Sequence, residues 1–216
     1  RVLRRALQGL ADADPEAALT ELMTLGEEAF GTARWEECVS YFSVAVEAAA
    51  IIGDATAVTL AARRLGLSHL HLGDVPATLR WYQRCADLAH ARNDVESVIN
   101  AHIGRGHALC VVGRWHDAEL QYRSALELTE EESRLHAQVC TNLSMTAREQ
   151  QRLDEARGWL DAAVQVWGDL VSSDRSVWYN NAGLLHLARE EYDDASAMFE
   201  RALALSPSHF DTAMIL

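Results

Sequence analysis

Nine histidines, four cysteines and thirty-two carboxylates are the residues of this 216-residue chain that could carry out chemistry. Their spacing gives them little to do it with. His69 and His71 are two apart, so on a helix they point to different sides and cannot share a metal ion. His102 and His107 are five apart, and no H-E-x-x-H motif exists. Cys38, Cys85, Cys110 and Cys140 form no C-x-x-C pair, which signals neither a zinc site nor a redox motif. The acidic runs Glu130-Glu131-Glu132 and Glu190-Glu191 with Asp193-Asp194 lack the spacing of a calcium loop and read as solvated turns. We expect no catalytic residue, no metal, no cofactor and no enzyme activity.

Composition narrows the class further. Hydrophobic residues make up 49% and charged residues 24% of the chain, the balance of a folded domain. The net charge of −13 argues against nucleic acid or an anionic membrane surface as the partner. No apolar run approaches the roughly 18–20 residues that a membrane span needs. Three prolines and twelve glycines favour long helices over strands and turns. The cysteines sit in apolar stretches, where a free thiol acts as a small hydrophobe, and this points to a reducing, cytoplasmic home. The chain starts at Arg1 without a signal-peptide pattern, and reads as a segment of something longer.

The elements that would position any site emerge from an internal repeat. Five stretches share an apolar–small pair, a turn residue, and then small and large residues four apart. The first has Leu25-Gly26, Trp35, Cys38, Phe42 and Ala45. The second has Leu65-Gly66, Val75, Thr78, Tyr82 and Cys85, and the third Arg105-Gly106, Trp115, Ala118, Tyr122 and Ala125. The fourth has Leu143-Ser144, Leu153, Ala156, Leu160 and Ala163. The fifth has Ala182-Gly183, Tyr192, Ala195, Phe199, Ala202 and then Pro207. Small residues let antiparallel helices approach, and a large one a turn further on fills the space between them. Gly53-Asp54 and Asn93-Asp94 punctuate the joins as a left-handed helix end followed by an N-cap. The pattern predicts ten antiparallel helices over 19–207, with turns near 33, 74, 113, 152 and 191.

This pattern resembles the tetratricopeptide repeat, whose W-x₂-L-G-x₂-Y…A-x₃-F…P signature the fifth stretch matches most fully. The resemblance implies an all-α, right-handed α-solenoid of antiparallel helix pairs. The repeats would be 19–58, 59–98, 99–136, 137–175 and 176–209. Residues 1–18 would end a preceding repeat, and 210–216 would start a truncated sixth. The steps between equivalent small residues are 40, 40, 38 and 39, longer than the family's usual of about 34. They resemble the long repeats of kinesin light chains, Pins-type adaptors and bacterial signalling regulators.

In this family the first helix of each repeat lines a concave groove. The stretches 59–72, 99–112, 137–150 and 176–189 hold Arg63, Arg64, Arg105, Arg148 and Arg189 against one acid, Glu149. The expectation is a locally positive groove in an acidic molecule, steering a carboxylate-bearing partner. In kinesin light chains, asparagines before the small pair hydrogen-bond an extended peptide backbone. Asn142, Asn181 and then Asn180 match those places, while Thr24, Arg64 and Gly104 stand there in the earlier repeats. Met23 and Glu27 replace the opening pair of the chaperone-type carboxylate clamp, so that clamp is not implied.

The sequence therefore points to a scaffold that binds a protein or peptide in its groove. Its contacts would be Arg63, Arg64, His71, Asn100, His107, Asn142, Met145, Arg148, Asn180 and Asn181. The alternative is a ligand-sensing regulatory domain of a larger bacterial signalling or transcription-control protein. Open solenoid ends would also permit a homodimer.

Overall fold

The computed structural model describes residues 14–131, 133–166 and 172–205. Among them are ten α-helices and no strand. They are α1 (Pro15–Gly31), α2 (Trp35–Ile52), α3 (Ala55–His71), α4 (Val75–His90), α5 (Val95–Val111), α6 (Trp115–Leu126), α7 (Arg134–Glu149), α8 (Leu153–Val166), α9 (Ser172–Ala188) and α10 (Tyr192–Leu205). The segments expected to belong to flanking repeats, 1–13 and 210–216, lie outside the described residues. The chain divides into two compact units, Arg1–Arg114 and Trp115–Leu216. The division falls in the turn between the two helices of the third repeat.

Five of the helices start at a side-chain cap. Asp14, Asp54, Asp74, Asp94 and Ser133 accept backbone N–H bonds from the first turns of α1, α3, α4, α5 and α7, satisfying donors that a helix leaves open. Helices α3, α5, α7 and α9 begin three or four residues before 59, 99, 137 and 176. Counting from the small residues placed the repeat boundaries about a turn too late, because the small residue marks a packing contact and the cap marks the start. The turn residues Trp35, Val75, Trp115, Leu153 and Tyr192 each open the second helix of a pair. The turn before each has one residue in the left-handed region: Ala33, Gly73, Gly113, Gln151 and Glu190.

In the first unit each helix packs on the next, and α3 also touches α5. In the second, α6 to α10 do likewise, and α7 touches α9. The repeated residues form the core. Cys38, Thr78, Ala118, Ala156 and Ala195 are buried, as are Phe42, Tyr82, Tyr122 and Leu160. Tyr82 shows why small residues are needed. A Cβ on Gly66 would lie 2.9 Å from its ring, and one on Gly104 would lie closer still. The ring wedges between α3 and α5, a contact the repeat pattern assigned to Gly66 but missed at Gly104. Gly183 lies against Phe199 in the same way, and Gly106 is buried.

Candidate functional site

The residues singled out from the sequence divide between the units. Arg63, Arg64 and His71 lie on α3, and Asn100 and His107 on α5, all in the first unit. Asn142, Met145 and Arg148 lie on α7, and Asn180 and Asn181 on α9, in the second.

In the first unit Arg64, His71 and Asn100 are engaged by neighbouring groups. Arg64 donates from Nε and Nη2 to the two carboxylate oxygens of Glu27, at 2.6 and 2.7 Å. Its guanidinium lies 4.5 Å from the centre of the Phe30 ring. Phe30 meets Trp35 edge-on at 5.2 Å, and Trp35 stacks flat on His71 at 4.0 Å. The loss of water around His71 lowers its pKa below the usual 6.5. Asn100 donates to the carbonyl of Glu96 on its own helix, at 2.9 Å. His107 is half-buried. Arg63 is half-buried near Tyr82 and Cys85, and it forms no ion pair with a described residue.

In the second unit some donors are left open. Asn142, Met145 and Arg148 follow at three-residue intervals and form one stripe along α7. Arg148 donates from Nη2 to Glu149 at 2.7 Å. Its side chain is only 12% exposed, and its Nη1 is buried without an acceptor among the described residues. The Nδ2 of Asn142 is in the same state. Asn180 is buried, and Asn181 spends its Nδ2 on the carbonyl of Val177 at 3.0 Å. Asn142 is therefore the groove asparagine with an unspent donor, although Asn181 matched the family pattern equally well.

These pairings correct the expectation of a positive groove. Arg64 is neutralised by Glu27 and Arg148 by Glu149, which removes two of the arginines on which a carboxylate-bearing partner depended. The helix bounds remove more. In the first unit, α1 brings Glu16, Glu21, Glu27 and Glu28 with no base, outweighing Arg63 and Arg64 of α3. In the second, Arg134 and Arg148 of α7 face only Glu149, but α9 contributes Asp174 against Arg175. The partition drawn from the sequence left out α1, whose four glutamates have no balancing base, while the opening turns of the other helices add acids and bases alike.

Sequence reasoning also missed an ionic network in the second unit. Glu119 of α6, its side chain 10% exposed, accepts from Arg123 Nε at 2.9 Å, from Gln150 Nε2 at 3.2 Å and from Arg152. Arg123 and Arg152 also bond Glu155 of α8. Burial pushes the Glu119 pKa up, but the three donors outweigh it and hold the carboxyl below the usual 4.5. The i, i+4 spacing of Glu119 and Arg123 and the i, i+3 spacing of Arg152 and Glu155 were the traces of this in the sequence. Cys85 and Cys140 behave as core hydrophobes, with burial raising each thiol pKa to about 11.

Residues 134–208 match the tetratricopeptide repeat family model. No characterised protein matches the chain in sequence. Solved structures share its fold at low identity. BtubC (BKLC) from P. vanneervenii superposes with a TM-score of 0.70 at 18% identity, over 98% of this chain and 90% of that one. NprR, a quorum sensor of B. thuringiensis, in complex with its cognate peptide NprX gives 0.76 at 15%, over 99% and 63%. A kinesin-light-chain-like protein from P. anserina with TPR-like repeats gives 0.65 at 14%, over 89% and 96%. This chain thus spans under two thirds of the length of NprR. No helix among the described residues is long and apolar enough to cross a membrane.

Proposed function

We propose that this chain, a tetratricopeptide repeat protein, binds an extended peptide segment along α7 and α9 of its second unit and performs no chemistry on it. The observation that carries this reading is that two of the three buried donors without acceptors among the described residues, Asn142 Nδ2 and Arg148 Nη1, lie on either side of Met145. Leaving such donors unmet costs roughly 1–3 kcal/mol each. Both atoms are covered in the unbound chain, so a ligand that supplies carbonyl oxygens would recover that cost as the two side chains turn out to meet it. Six residues of helix rise about 9 Å, close to the span of three residues of extended chain. A peptide lying along the stripe can therefore offer one carbonyl to each donor and an apolar side chain to Met145.

The carboxylate preference inferred from the arginines is replaced here by backbone recognition, because Glu27 and Glu149 already hold two of those arginines. The fold likeness to NprR with its bound peptide supports the further reading that such binding serves regulation, within a longer protein whose output lies outside this segment. The buried thiols support a reducing, cytoplasmic setting.

The test is selection from a random peptide library on the immobilised full chain, followed by titration of the selected peptides. Asn142→Ala is expected to weaken binding about tenfold, while Asn100→Ala, whose amide is spent within its own helix, leaves it unchanged. Selection of nothing above background, or equal binding by Asn142→Ala, overturns the proposal.

A further inference from the structure

We infer that His186, Glu191 and Asp194 form a site for a divalent transition-metal ion, with Zn²⁺ as the best match. The set is assembled by the last turn between helices: His186 lies in the final turn of α9, Glu191 precedes α10, and Asp194 lies in its first turn. The left-handed backbone of Glu190 reverses the chain between them. One donor atom from each of the three lies within 4.8 Å of the others, and His186 Nδ1 stands 2.6 Å from Glu191 Oε2.

The chemistry selects the ion. Zinc takes imidazole nitrogen at about 2.0–2.1 Å and carboxylate oxygen at about 2.0–2.2 Å. Calcium and magnesium prefer oxygen alone, so the imidazole argues for a softer ion. The imidazole is the held ligand. It is 17% exposed and lines a cavity of about 90 Å³ with Leu160, Trp178, Leu185, Met198 and Arg157, whose Nε is spent on Asp161 at 3.0 Å. Both carboxylates are exposed, so their side chains can rotate the short distance that coordination requires. Glu190 and Asp193 add negative charge next to them, and Arg189 is drawn away to Asp154 at 2.6 Å. A bound ion would tie the end of α9 to the start of α10. Water would complete the coordination. The site is separate from the stripe on α7, so it stands or falls independently of peptide binding.

Isothermal titration of the full chain with ZnCl₂, and separately with CaCl₂, tests the site. The expected result is one-to-one zinc binding that His186→Ala weakens at least about tenfold, with helicity by circular dichroism unchanged. Glu191→Gln should weaken it as well. Asp193→Asn removes the same charge without removing a ligand and should change affinity less than about twofold. The inference is overturned if wild type binds no zinc, or if calcium binds as tightly. It is equally overturned if His186→Ala binds normally, or if Asp193→Asn weakens binding as much as Glu191→Gln does.

Discussion

The two units are built from the same repeat and treat their polar groups in opposite ways. In the first, Glu27, Arg64, Phe30, Trp35 and His71 form a closed chain of contacts. In the second, Glu119 gathers three donors deep between helices, while Asn142 and Arg148 keep donors that no described residue meets. The difference teaches where a ligand has something to gain. A closed network must be broken before it can bind anything, whereas an unmet buried donor improves when an acceptor arrives.

Substitutions can break this contrast. The largest effect is expected in the first unit at Gly104→Leu, where the new side chain must displace the buried Tyr82 ring. We expect a loss of about 3 kcal/mol or more, read by urea unfolding. A neutral result would mean that Tyr82 does not wedge between α3 and α5. Next comes Glu119→Ala in the second unit, at about 2–3 kcal/mol. That falls short of a fully buried pair because Arg123 and Arg152 can turn to solvent. Glu27→Ala should cost about 1 kcal/mol or less, since its carboxylate is partly solvated and the pair is screened. If Glu27→Ala proves as costly as Glu119→Ala, the two networks are alike and the contrast disappears. The smallest effect is a gain. Gln151 occupies the left-handed region at φ 60°, so Gln151→Gly should stabilise by about 0.5–1 kcal/mol, read as a higher melting temperature.

Acid should separate the units as well. His69 and His71 both have pKa values lowered by burial, so the unfolded chain takes up protons before the folded one. The first unit is then expected to lose stability as pH falls below about 6.5. Glu119 is also held below its usual value, so its contribution is complete above about pH 4.5 and is lost as pH falls through the lower folded value. Amide hydrogen exchange at pH 5.5 and 7.5, localised by mass spectrometry, should therefore show the first unit loosening while the second is unchanged. Equal loosening of both would remove the assignment of these groups.

The fold was legible in the sequence because packing repeats. A small residue at a helix contact, with a large apolar or aromatic one four residues after a second small one, is a local demand made five times over. Together these demands identify the all-α repeat without coordinates. The caps at Asp54 and Asp94 were equally local and equally readable. The candidate site was only half readable. Residue type and register placed Asn142, Met145 and Arg148 on one stripe, but nothing local says whether an amide is spent on its own helix, as in Asn181, or left open, as in Asn142.

Charge was the least legible property. A helix by itself displays Arg64 as a free cation, and only folding brings Glu27 from 37 residues away to neutralise it. The same holds for His186. A search among histidine pairs could not find it, because its partners are carboxylates across a turn. The sequence by itself determined the repeat, its caps and its core, since each depends on neighbours a few residues apart. The tertiary structure alone decided which polar groups are paired and which remain open. Coulombic and hydrogen-bond energies depend on distance in space, and chain order does not reveal that distance.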